Sequence, residues 1–212
     1  MEEKLSEKLE VMCHIILNAQ ASFDVVRYFN NENHNKFNLI NRERISNHFF
    51  QFVEVNFFRT TIIELFKLYS PSTDDYYSIY SLKNRFNPGK KYESIEISEE
   101  LFKDVNLILK QSRAEIEKLR DLRNKVYAHN DQEYKKYLGI LTIEEISKLI
   151  KAAKDILEKI YSEILKAYYF FDSPTATPID SLENLFNKIE FFNINYEEVI
   201  LKNIGITKSD EL

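Results

Sequence analysis

Apolar residues recur at steps of three and four from the start of the chain. Leu5, Leu9, Met12, Ile16, Ala19, Phe23 and Val26 make one stripe, which predicts an amphipathic helix over about residues 2–28. A polar run at 30–35 ends it. A second long helix is predicted over about 39–69, because no Gly or Pro interrupts the stretch and Ser70-Pro71 closes it. Its expected inward side runs through Ile45, Phe49, Phe52, Val53, Asn56, Phe57, Thr60, Ile63, Phe66 and Lys67. Phe50, Val55, Phe58, Ile62, Leu65 and Leu68 widen it, as in a helix buried on more than one side.

Residues 71–97 form the main connection. Tyr76, Tyr77, Ile79, Tyr80, Leu82 and Phe86 suggest a short helix within it, and Asn87-Pro88-Gly89 is a turn. The tyrosines either pack over the helices or stack bases. Ser98-Glu99-Glu100 starts a third helix with a capping hydroxyl and first-turn acids. Leu101, Val105, Ile108, Ser112, Ile116, Leu119, Leu122 and Val126 carry its stripe for about 30 residues, roughly 45 Å. Thr142 to Glu145 reads as a capping box for a fourth helix reaching about Phe171, and a shorter helix follows over 180–192. Long helices with short or moderate links predict an all-α fold: an antiparallel four-helix bundle with extra short helices in the connection and at the C-terminus. Residues 1–171 are expected to form the bundle, and 172–212 an appendage packing on it or on a partner.

Composition strengthens the all-α reading: 3 Gly and 4 Pro in 212 residues is low usage. With 16 Phe and 13 Tyr but no Trp, the core should be aromatic and aliphatic. Cys13, the single cysteine, sits in an apolar helical pattern; it is expected to be a reduced core residue, which fits a cytoplasmic location. The acidic N-terminus is unlike a signal peptide, and no uncharged apolar run reaches the ~18 residues of a membrane span, so no membrane partner is expected.

A net charge of −5 gives no global attraction for nucleic acid. RNA would have to meet a local set, either Lys83, Arg85, Lys90 and Lys91 or Arg113, Lys118, Arg120 and Lys125. Either set also reads as ordinary solvated charge. His14 reads as a surface histidine. Glu54 and Glu64, about three turns apart, read as a polar edge or as partners for arginines rather than as one ion site. Arg59 reads as structural, with reach to a ligand if the second and third helices are neighbours.

The stretch with distinct chemistry is 119–131. Arg123 has Leu119, Arg120, Val126 and Tyr127 at its helical neighbour positions, none of them acidic, so no intrahelical ion pair claims it. His129 has Lys125 and Val126 behind it. A free guanidinium suits phosphate oxygens, and an imidazole moves protons near neutral pH. The bare spacing also occurs at Arg27/His34 and Arg42/His48. Only the third copy has Asn after the Arg and Ala before the His at the end of a long amphipathic helix. Six residues at ~100° each set Arg123 and His129 roughly 120° apart on a straight helix, so the helix must end or bend, or a second copy must complete the site.

Arg123, five intervening residues and His129, with Asn124 in the polar slot, resemble the HEPN domain family, and the surrounding wording is most similar to its abortive-infection branch. The resemblance implies a homodimer through the motif helices and a metal-independent ribonuclease acting on RNA. Arg123, Asn124 and His129 would be catalytic, with Asp131, Tyr127 and Arg120 in support, and no metal or cofactor. It also implies a toxin held by an antitoxin partner. The Tyr that some family toxins carry two positions after the motif His is Asp131 here, with Tyr134 nearby. The alternative reading is a non-catalytic helical module that binds a nucleotide or another protein.

Overall fold

The computed structural model describes residues 2–72, 74–128, 134–137, 139–171 and 178–203. These residues are all-helical, with no strand among them. The eight α-helices are α1 (Glu2–Phe29), α2 (Phe37–Ser46), α3 (His48–Tyr69), α4 (Ile79–Asn84), α5 (Glu99–Gln111), α6 (Arg113–Leu122), α7 (Ile143–Leu165) and α8 (Pro178–Asn203). A π-helical turn, Arg123–Ala128, continues α6, and a 3₁₀ turn spans Tyr134–Tyr137.

The chain falls into two compact units. Unit 1 is Met1–Phe23 with Val55–Pro174; unit 2 is Asp24–Glu54 with Thr175–Leu212. In unit 1, Leu5, Leu9, Met12, Ile16 and Ala19 of α1 are fully buried, as their spacing predicts, and so is Cys13, a free thiol. From α7, Ile146, Leu149, Ala153, Ile156 and Leu157 are buried to the same degree. The Tyr69 hydroxyl donates to the Leu149 carbonyl at 2.6 Å, tying α3 to α7 inside the core; burial raises its pKa far above the ordinary tyrosine range. Ser98 caps α5 by accepting from the Leu101 N–H (3.1 Å), and Thr142 and Glu145 make the expected capping box on α7. Gly89 takes φ +73° in the turn after α4, a conformation open to glycine.

Several sequence expectations need correction. The predicted 39–69 helix is two helices. Asn47 is extended between them (φ −116°, ψ 110°), and its side-chain oxygen accepts from the Phe49 N–H at 2.9 Å, a local bond that competes with helix continuation. The inward face also differs: Phe50, Ile62, Leu65 and Leu68 are buried, while Ile45, Phe49, Phe52 and Val55 are 59–66% exposed. Because α3 is apolar nearly all round, periodicity does not select its face. The third helix breaks at Ser112, and Val126 is only half-buried beyond it. α7 stops at Leu165, six residues early, because Lys166 turns left-handed (φ 49°). The chain then doubles back, bringing Tyr169 to 5.5 Å from Tyr161 and Phe171 to 5.7 Å from the Lys154 ammonium. The last helix runs to Asn203 rather than 192.

α1 is long and apolar enough, over Lys4–Phe29, to cross a membrane by length and composition. The expected absence of a membrane-length segment therefore holds for uncharged runs only. In unit 1 the apolar positions of α1 pack into the protein core.

In unit 2 the rings of Tyr28, Phe29, Phe50 and Phe186 cluster, with Phe50 and Phe186 stacked at 5.2 Å. His34 accepts from the Lys36 N–H through Nδ1 (3.1 Å) and meets Glu183 through Nε2 (2.7 Å). Glu54 meets Arg44 and accepts from the Asn30 amide at 2.8 Å, the arginine-partner role read from the sequence.

Candidate functional site

Leu119 and Leu122 are buried and anchor the end of α6. The chain then widens into the π turn Arg123–Ala128, in which hydrogen bonding shifts to i→i+5 and accommodates about one extra residue. The shift takes Val126 off the buried stripe and changes the helical register just before His129. His129, Asn130 and Asp131 lie outside the described residues.

The Arg123 guanidinium donates from Nη1 to the Asn124 side-chain oxygen at 2.9 Å and lies 5.0 Å from the centroid of the Phe66 ring. Among the described residues no carboxylate pairs with it, in keeping with the neighbour positions read from the sequence. An amide dipole and a ring face orient a cation without neutralising it, so Arg123 keeps its full charge for an anion. Tyr127 is half-buried. Burial pushes its hydroxyl up to about 12, against the opposing pull of the Arg59 charge, so it stays protonated at neutral pH and keeps a proton to donate.

Phe66 and Arg59 were not singled out as site residues by sequence. They sit seven residues apart on α3, the i, i+7 spacing of one face; Phe66 packs under Arg123, and the Arg59 charge is close enough to act on the Tyr127 hydroxyl. Through Phe66, α3 neighbours the motif turn, which is the condition set for Arg59.

Beside this turn lies a groove of about 350 Å³ between α4, α5 and α6. Lys83, Lys110, Arg113 and Arg120 line it against one acid, Glu117, with Tyr80 and Asn106 completing the wall. Arg113, Glu117, Arg120 and Asn124 follow one another at i, i+4, i+7 and i+11, so the groove face of α6 leads to the motif turn. A second groove, about 800 Å³, lies where α5 starts and α7 ends. There Glu100, Asp104, Glu158 and Glu163 outnumber Lys159 and Lys166, a field that repels phosphate.

The two basic sets read from the sequence are therefore redistributed. Lys83 joins the α6 cations, and Lys118 is taken by Glu145 at 2.5 Å. That ammonium, then the Thr142 N–H, hold the Glu145 carboxyl below its ordinary value. The other two copies of the Arg-to-His spacing are engaged elsewhere. Arg27 lies 3.8 Å from Asp24 and His34 is held by Glu183, while Arg42 is on Glu43 and His48 is exposed at the head of α3.

Among the described residues the chain is helical and strand-free, and no carboxylate pairs with the arginine that stands beside its amide neighbour at the motif turn, features in keeping with a HEPN-type domain. The family model HEPN_AbiU2 (AbiU2) matches residues 2–190, and the chain belongs to that HEPN-type abortive-infection family. No curated protein and no solved structure matches the chain.

Proposed function

We propose that the chain is a metal-independent endoribonuclease of the abortive-infection kind, or a toxin derived from one, acting on cytoplasmic RNA in phage defence. The observation that carries this reading is Arg123: charged, unpaired with any described carboxylate, and held by Asn124 and Phe66 at the turn that begins the Arg-x5-His motif. In the proposed reaction the ribose 2′-OH attacks the adjacent phosphorus and the 5′-oxygen leaves, giving a 2′,3′-cyclic phosphate and a 5′-OH. His129 moves the proton as general base or acid, and Arg123 stabilises the charged phosphorane. Asn124 positions the guanidinium. Asp131 and Tyr127 support the pair, and Arg120 belongs to the groove that takes the RNA backbone.

Two copies pair through their motif helices in this account, on an antiparallel four-helix bundle, and an antitoxin partner silences the site. The test is cleavage of single-stranded RNA in EDTA by the purified chain. Arg123→Ala and His129→Ala abolish it; unchanged cleavage in either variant defeats the proposal. A second reading, a non-catalytic interaction module, has one observation in its favour. Ile45, Phe49 and Phe52 present large exposed apolar surface in unit 2, as a protein-binding face does. A chain that binds a protein partner through these residues and cleaves no RNA selects that reading.

A further inference from the structure

Unit 1 also holds a knot of cations away from the motif turn. Lys8 of α1 is 2% exposed, and its Nζ meets no hydrogen-bond acceptor among the described residues. It lies 4.5 Å from the centroid of the Tyr76 ring. The Arg85 guanidinium lies 4.6 Å from the same centroid, and the Lys91 ammonium 6.0 Å from it. Arg85 Nε is likewise buried without an acceptor. Among the described residues no ion pair includes any of the three.

A buried ammonium is strongly disfavoured unless it is paired, and like charges gathered on one ring repel. A ring face offsets only part of this, and Tyr76 here serves three cations, with the Tyr92 ring, 5.4 Å from the Lys91 ammonium, as the one further ring among the described residues. Burial, then the charges of Arg85 and Lys91, lower the Lys8 pKa to about 7, so the ammonium sheds its proton far more readily than usual. Among the described residues no carboxylate balances these three charges. Two ammoniums and a guanidinium offer more N–H donors than one carboxylate can accept, whereas a phosphate brings three terminal oxygens and close to two negative charges. Tyr76, 38% exposed in the connection before α4, and Lys91, also exposed, are where solvent reaches the cluster.

We propose that Lys8, Arg85 and Lys91 form a binding site for the phosphate group of a small ligand, which replaces the Tyr76 ring as their common counter-charge. The source is either free orthophosphate or a phosphate carried on a nucleoside. The site shares no residue with the Arg123 centre, so it stands or falls independently of RNA cleavage.

Calorimetric titration of the full chain with inorganic phosphate, adenosine 5′-monophosphate and adenosine tests it. One site per chain is expected for at least one phosphate compound and none for adenosine. Tighter binding of the monophosphate assigns a nucleotide, and equal or tighter binding of inorganic phosphate assigns the free ion. Lys91→Gln, an exposed change, and Lys8→Met, which keeps the apolar stem, are each expected to weaken binding about ten-fold or more. Absence of binding by both phosphate compounds up to tens of millimolar overturns the proposal, as does binding that Lys91→Gln leaves unchanged.

Discussion

Arg123 rests 5.0 Å from the Phe66 ring centroid and donates to the Asn124 oxygen at 2.9 Å, so an aromatic face from α3 and an amide from its own turn fix the direction of one guanidinium. The amide is its immediate neighbour in sequence; the ring comes from another helix. Phe66→Leu removes the cation–π contact while keeping apolar volume. It is expected to cost about 0.5–1 kcal/mol at this partly exposed position, which lowers kcat/KM for RNA a few-fold with little change in melting temperature. Steady-state kinetics beside a thermal melt separates this from general unfolding. Arg123→Lys keeps the charge but loses the fork, and a loss of at least ten-fold is expected.

The groove makes a prediction of a different kind. If the groove takes the RNA backbone as proposed, neutralising Lys110 or Arg113, the latter paired with Glu117 at 3.0 Å, removes a phosphate contact without altering the motif turn. RNA affinity should fall for all sequences alike, and the slope of log K against log salt should lessen by roughly 0.7 for each phosphate no longer neutralised, the single-strand value. Affinity measured across a salt series checks this. An unchanged slope places the RNA elsewhere.

Lys8 makes the stability of unit 1 depend on pH. Its folded pKa of about 7 lies below the unfolded value of 10.5, so between these the unfolded chain binds more protons and stability rises with pH. Cys13 acts in the opposite direction higher up. Burial, then the nearby Glu10 and Glu158 charges, raise it from 9.0 to about 12, so its contribution is intact below pH 9 and fades above it. A denaturation series from pH 7 to 9 isolates the lysine. Lys8→Met is expected to be more stable than the unaltered chain at pH 7 and to flatten the slope.

Capping contributes local stability that is easily measured. Thr142→Ala removes the hydroxyl that accepts from the Glu145 N–H at 3.2 Å and is expected to cost about 1 kcal/mol. For a chain of this size that corresponds to roughly 2–4 °C in melting temperature, if unfolding is two-state.

The sequence disclosed those parts of the fold where one signal stood unopposed. The α1 stripe was clean, and its residues are buried as spaced. The Ser98 and Thr142 caps combine a hydroxyl with nearby acids, and both helices start there. Where signals competed, reading failed. Around Asn47 apolar residues occur on both sides of the break, Leu39, Ile40 and Ile45 before it and Phe49 and Phe50 after it, so the pattern hid a turn where one side-chain bond competes with the helix. On α3 apolar residues on every side concealed which face the core would take.

At the candidate site, the freedom of Arg123 was legible because helix neighbours are fixed by spacing. The π turn was not, because the widening has no compositional mark. Phe66 is one aromatic among many until the contact between α3 and the motif turn singles it out. Lys83 and Lys110 reach the α6 cations only through the packing of three helices.

In the proposed function Arg123 and His129 act together on the phosphodiester. The most direct test of this is the chemistry of the ends left on a defined RNA by the unaltered chain, Arg123→Ala and His129→Ala. Expected are 2′,3′-cyclic phosphate and 5′-OH ends from the unaltered chain and intact RNA from both variants. Ends bearing 3′-OH, or cyclic phosphate formed equally well without the histidine, would contradict it.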